Sequence, residues 1–335
     1  MEGIAVAGTL VVDHIKMIDG YPEKGMIADI SSASRGIGGC AANTACGVKI
    51  LDPSIPVKSL SLVGDDDNGA FVIERLSGYG IDTTGIRKTG EAATSFSDVM
   101  TIESTGERTF FHDRGACRLF SAEYVDFEAL DVRLMLLGYG ALLDSMDLPD
   151  EEYGTLMARF LHDVKEKGIF TAMDVASTRD EELMRRLVLP SLKYTDYLIV
   201  NEVEGGMLAG ITPRDGEGNL KRELLPEICR KLKAYGVAKW VVIHAPEVGC
   251  AVNESGAYFE EPSLRLPEGY IVGAVGAGDA FCAGVLYSIY RELSVEEALR
   301  MGAATAAANL SAGDSVSGLR SVLETKKLYE AYGVK

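Results

Sequence analysis

Short apolar runs recur along the chain, each followed by a segment of helix length: 4–8 (IAVAG), 57–64 (VKSLSLVG), 133–138 (RLMLLG), 168–174 (GIFTAMD), 196–201 (DYLIVN) and 239–245 (KWVVIHA). The intervening segments, among them about 40–51 and 69–79, carry apolar residues at helical spacing. A strand that is apolar on both faces has to be covered on both, and a parallel connection needs a crossover long enough for a helix. The alternation therefore predicts a three-layer α/β/α fold around a mostly parallel central sheet.

Two segments break this pattern. Residues about 11–35 and 94–114 alternate apolar and polar side chains, the second around the turn STGE, as hairpins with one exposed face do. They predict a small β-sheet that projects from the main body. Because the chain leaves the core for this sheet and then returns, its 335 residues form one domain with a discontinuous projection. Toward the C-terminus, Ser294 and Glu297 form a capping-box pattern before ALRMGAATAAANL, and a last helix is expected over about 321–332.

Fifty acidic against thirty-three basic residues give a net charge of −17, which argues against nucleic acid or an anionic membrane as partner. The opening MEGIAVAGTLVVD has no basic stretch before its apolar run, and no segment has the length of a bilayer span, so a cytoplasmic location is expected. Six scattered cysteines without a C-x-x-C pair predict reduced, mostly buried thiols rather than a metal–thiolate site. His14, His112 and His162 have no partners at metal-ligand spacing, and none is assigned a catalytic role.

Two glycine-rich stretches carry the chemistry. In GAVGAGDAFCAGVLYSIY, apolar residues at helical spacing put Gly276, Ala277 and Gly278 at a helix N-terminus, where free backbone N–H groups and the helix dipole favour an anion. Asp279 falls in the first turn. Beside a phosphate it could take the proton of an attacking alcohol; alone, it could simply complement the helix dipole. No G-x-x-x-x-G-K-[ST] occurs, so the P-loop arrangement is excluded.

The second stretch, GIGGCAANTACG, matches G-x-G-x-x-A weakly through Gly36, Gly38 and Ala41, but the polar ISSASR before it is unlike the buried strand that precedes a dinucleotide fingerprint. Asn43, one turn into the following helix, is better suited to bind a polyol hydroxyl. Asp13 lies where the first strand passes into the projecting sheet and can accept two hydroxyl hydrogen bonds. Asn201 and Glu204 (NEVE) follow a strand's C-terminal end at i, i+3, a spacing that serves either a helix cap or water held around Mg²⁺.

In this order, AGTLVVD, GIGGCAANTA, VGDDDNG, GERTFFHDRGA, NEVE and GAGDAF resemble the ribokinase-like (PfkB) carbohydrate kinase family over nearly the whole chain. The resemblance implies a β-sheet lid over the substrate, often used for dimerisation, and transfer of the ATP γ-phosphoryl group to a sugar or nucleoside alcohol. Asp279 would be the base, and the amides of Gly276, Ala277 and Gly278 the anion hole. Asp13, Gly38, Gly39 and Asn43 would bind the substrate. Asn201 and Glu204 would lie near Mg²⁺ and the phosphates, with Glu204 acting on the metal through water, and His244 and Gly249 would lie on the nucleotide side.

The chain departs from the family pattern at three places. Gly273–Ala274 stands where relatives have Asp-Thr, which makes a monovalent cation doubtful; His244-Ala245-Pro246 replaces Thr-x-Gly; and Ala303 falls where an Asn is common. An ATP- and Mg²⁺-dependent kinase of a sugar or sugar acid is the leading expectation. A nucleoside kinase of the same fold and a binding or regulatory relative without turnover are the alternatives, with a dinucleotide-dependent oxidoreductase weaker still.

Overall fold

The first strand shows how the layers arise. In a computed structural model, which describes residues 1–334 apart from 177 and 179, Ile4–Ala7 (β1) is buried along its whole length. Ile4 and Val6 pack into one hydrophobic core, Ala5 and Ala7 into another on the opposite face of the sheet.

The chain then runs through Val11–Ile18 (β2), Ile30–Gly38 (β3), Cys40–Leu51 (α1), Val57–Gly64 (β4), Asp67–Gly78 (α2), Asp82–Thr89 (β5), Phe96–Ile102 (β6) and Arg108–Asp113 (β7). Leu134–Gly140 (β8), the short ladder Pro149–Asp150 (β9) and Gly154–Thr155 (β10), Leu156–Glu166 (α3), Phe170–Val175 (β11) and Glu181–Val188 (α4) follow. Next come Tyr197–Asn201 (β12), Glu202–Ala209 (α5), Leu225–Ala234 (α6), Trp240–His244 (β13), Val248–Val252 (β14) and Tyr258–Pro262 (β15). Three helices close the chain: Ala277–Tyr290 (α7), Val295–Asn309 (α8) and Val322–Tyr332 (α9).

The central sheet has nine strands in the order β15-β14-β13-β12-β11-β8-β1-β4-β5. From β13 to β5 all neighbours pair in parallel, while β14 and β15 extend one edge in antiparallel fashion. Side chains of α1, α2, α7 and α8 fill the core on one face; α3, α4, α5 and α6 fill that on the other. The chain order reverses at β1, which lies between β8 and β4. In open α/β sheets such a switch point leaves a crevice beyond the strands' C-terminal ends, the usual place for a ligand.

The small sheet rises from that place. Its order is β3-β2-β6-β7, with β2 and β6 parallel and both outer pairs antiparallel. Helix α2 begins at Asp67, earlier than its apolar spacing indicates, because the Asp66 side chain accepts from the Gly69 amide and caps it. The capping boxes before α8 and α9 are both formed. The six cysteines are free and buried. Among the described residues no helix is long and apolar enough to cross a membrane.

Candidate active site

Helix α7 starts at Gly276, which adopts a left-handed conformation (φ 77°, ψ 5°) as its N-cap. A methyl group there would fall 2.4 Å from Cβ of Ser315, so the tight approach of the 315 segment also demands glycine. Amides in the first turn of a helix have no acceptor within it. The Ala277 amide makes a long hydrogen bond to the Ala274 carbonyl at 3.4 Å, whereas the Gly278 amide is available to an anion and has no side chain to screen it.

Asp279, one residue further, is 4% exposed. Asn43 on α1 donates from Nδ2 to Asp279 Oδ2 at 2.9 Å, and the Tyr139 hydroxyl lies 3.1 Å from Oδ1 and 3.0 Å from Oδ2. Burial pushes the carboxyl pKa up, and the hydrogen bonds from Asn43 and Tyr139 oppose this. Asn43 is itself buried, and among the described residues its Oδ1 has no hydrogen-bond partner. An orphaned acceptor next to a buried carboxylate is costly unless a hydroxyl arrives to satisfy it.

The start of α1 is organised by three glycines with different duties. Gly39, its N-cap, has φ 84° and ψ 153°, and a methyl on it would fall 2.3 Å from the Thr9 carbonyl oxygen. A methyl on Gly38 would meet Asp13 Oδ2 at 2.6 Å, whereas one on Gly36 would meet nothing nearer than 3.8 Å. Gly38 therefore makes room for the Asp13 carboxylate. Asp13, which pairs with Gly36 and Ser97 across the small sheet, has its pKa raised to about 6 by burial, against the opposing effects of the Ser97 hydrogen bond and the Arg108 charge.

At the far side of the crevice Asn201 caps α5. Its side chain accepts from the Glu204 amide at 2.8 Å and the Glu204 carboxylate accepts from the Asn201 amide at 3.0 Å, a complete capping box. Asn201, His244 and Gly249 are register partners across β12, β13 and β14. His244 stacks on Phe281 with ring centroids 4.7 Å apart, and burial lowers its pKa to about 4, so the imidazole is neutral near pH 7. Its Cε1 would be 3.4 Å from a methyl on Gly278, which puts the ring at the edge of the anion site. Gly249 faces the Phe281 ring, 3.2 Å from a would-be methyl, so its position is taken up by packing.

Two residues of the site escaped the sequence reading. Asp174, at the end of β11, is 8% exposed, and its pKa is pushed well up by burial and then by the charges of Glu204 and Asp279. Its signal was an acid closing an apolar strand at the C-terminal end. Tyr139, at the end of β8, gave none, since GYG is an ordinary sequence. Among the described residues no three potential ligands converge into a metal cage. That suits Mg²⁺, which is usually held by one or two carboxylates together with phosphate oxygens and water.

Residues 1–321 match the family model described as pfkB family carbohydrate kinase. The chain is 26% identical to a ribokinase of Arabidopsis thaliana over 306 residues, covering 90% of this chain and 74% of the relative. It is 26% identical to a 2-dehydro-3-deoxygluconokinase of Bacillus subtilis over 314 residues, covering 89% and 87%. A solved structure of a putative ribokinase II from E. coli, in complex with ATP and Mg²⁺, superposes with a TM-score of 0.78 at 21% identity, covering 99% of this chain and 100% of the other.

Proposed function

Because the chain belongs to the pfkB family of carbohydrate kinases, we propose that it transfers the γ-phosphoryl group of ATP to a hydroxyl of a sugar or sugar acid, with Asp279 as general base. The observation that carries this reading is the juxtaposition at α7. One buried carboxylate sits in the first turn, close to the Gly278 amide and hydrogen-bonded to Asn43, whose Oδ1 is without a partner among the described residues. This supports reading Asp279 as a proton acceptor between a seat for phosphate and a seat for a polyol.

In this reading the amides of Gly276, Ala277 and Gly278 hold the transferred phosphoryl oxygens. The acceptor oxygen forms its bond to phosphorus as its proton passes to Asp279, and ADP leaves. Asp13 and Asn43 bind further hydroxyls of the acceptor. The small sheet covers the acceptor and excludes water, which would otherwise divert ATP to hydrolysis. Mg²⁺, when bound, neutralises phosphate charge, and it would also relieve the mutual repulsion of Asp174, Glu204 and Asp279. Asn201 and Glu204 are committed to the helix cap, so they act on the metal through water. The E. coli putative ribokinase II, solved in complex with both ATP and Mg²⁺, supports this nucleotide and this metal.

We place the enzyme in the cytoplasm, in keeping with six free thiols. Ile30, Phe110 and Phe111 on the small sheet are exposed and suit contact with a second copy of the chain.

The deciding experiment is an ADP-release screen with Mg-ATP over pentoses, hexoses, sugar acids and nucleosides, in potassium and in sodium buffers. Release should be greatest with a sugar or sugar acid, and equal in both buffers because Gly273–Ala274 supplies no carboxylate. Preference for a nucleoside would shift the reading to the nucleoside kinases. Ligand-induced stabilisation with no ADP formed would mark a binding protein.

A second test concerns the acceptor seat. Gly38→Ala should displace the Asp13 carboxylate and raise the acceptor KM about ten- to a hundredfold, the usual worth of a charged hydrogen bond. Gly36→Ala should leave KM within about twofold, because its methyl meets no close neighbour. Steady-state kinetics on the two variants separates these outcomes.

A further inference from the structure

This inference rests on the kinase reading above. An alcohol can pass its proton to Asp279 only by reaching a carboxylate oxygen, and in the structure each oxygen already accepts a hydrogen bond with which the alcohol must compete. Asn43 donates an amide N–H to Oδ2, and the Tyr139 hydroxyl spans Oδ1 and Oδ2. Of these donors the phenol is the one that an incoming alcohol replaces like for like, an O–H for an O–H.

Tyr139 is held in this position against its own backbone preference. Its φ is 58°, in the left-handed region that bulky side chains avoid, and Ala141 follows at 74°. The segment beyond is tied to the foot of the small sheet: the Ser145 amide donates to the Arg118 carbonyl at 2.9 Å, and Arg114 pairs with Asp144. The ring is half-buried and packs against the core that α1 and α7 help to form. Burial and the Asp279 charge both raise the phenol pKa, so the group is a neutral donor.

We propose that Tyr139 occupies the acceptor-alcohol position and determines which acceptors are phosphorylated: its hydroxyl keeps water from Asp279 until a bound acceptor displaces it, and its ring limits the bulk beside the reacting carbon. A tethered phenol competes well against water because its hydroxyl is presented at high effective concentration. An acceptor also anchored by Asp13 and Asn43 can spend that binding energy on displacing the ring.

The test compares wild type with Tyr139→Phe, which keeps the ring and removes the hydroxyl. Acceptor-free ATP hydrolysis should rise about tenfold and the acceptor KM fall about threefold or more, the range of one hydrogen bond to a charged group, while kcat stays within about threefold. If hydrolysis and KM are both unchanged, the proposal fails. It also fails if kcat drops a hundredfold at constant KM, because the phenol would then belong to the chemistry.

Tyr139→Gly suits the left-handed backbone and so guards against misfolding. It should phosphorylate acceptors with a bulkier group beside the reacting carbon that wild type rejects. An unchanged acceptor range in that variant, shown folded by its thermal melt, would overturn the role of the ring. Wild type is the control for the underlying reading: if no acceptor stimulates ADP release by wild type, the kinase assignment fails, whereas active wild type with unaltered variants overturns only the role of Tyr139.

Discussion

Asp279→Asn is expected to lower kcat by about a thousandfold, within the range that a positioned general base supplies, while ATP binds with nearly unchanged affinity. The asparagine fills the same space and keeps an oxygen for the Tyr139 hydroxyl, but it cannot take the proton of an attacking alcohol. In the proposed reading the nucleotide is held by backbone amides of α7, which the substitution leaves in place. Stability should move in the opposite direction to activity.

Burial raises the Asp279 pKa above 3.8, so at neutral pH the folded state bears the cost of a buried charge that the unfolded state does not. Removing the charge should raise Tm at pH 7. The gain should shrink as pH falls through the raised folded-state pKa and vanish below 3.8, where the wild-type carboxyl becomes protonated in both states. The same shift puts the acid limb of wild-type kcat/KM above the range of an ordinary carboxylate. Kinetics, nucleotide titration and thermal melts at the two pH values test all three points. Near-normal turnover by the variant would remove Asp279 from its role.

The fold was legible because its cause is local. The run 57–64 and the segment 40–51 show their apolar periods without help from the rest of the chain, and β4 and α1 occupy those residues. The antiparallel edge was not legible. Strand β14 is VGCAV, whose small residues carry little strand signature, and it is buried because β13 and β15 flank it and Phe281 packs on Gly249.

The site divides in the same way. GAGD announces a helix N-terminus with an acid in its first turn, and that is visible from spacing alone. Tyr139 owes its place to a left-handed turn that no local residue requires, so only the folded chain brings it to Asp279. Asn201 and Glu204 illustrate a third case: their i, i+3 spacing serves a cap and a metal environment equally, and the structure completes the cap.

The glycine motif before α1 shows how far structure and substrate binding share one cause, and it yields the largest expected effect on stability. Gly39→Ala should destabilise the protein by about 3–5 kcal/mol, combining a backbone conformation that costs about 1–3 kcal/mol with overpacking of similar size. The methyl would lie 2.3 Å from the Thr9 carbonyl oxygen and 2.8 Å from its carbon, and neither can give way because Thr9 follows β1 at the centre of the sheet. At about 2–4 °C per kcal/mol for a chain somewhat smaller than this one, Tm should fall by about 10 °C.

The molecules that remain folded should also lose activity, since moving the start of α1 off Thr9 carries Asn43 away from Asp279. Gly36→Ala, with no near neighbour, should melt within about 2 °C of wild type. If Gly39→Ala melts there too, then close approach of α1 to Thr9 is not what requires glycine, and the motif must owe its form to the bound acceptor instead.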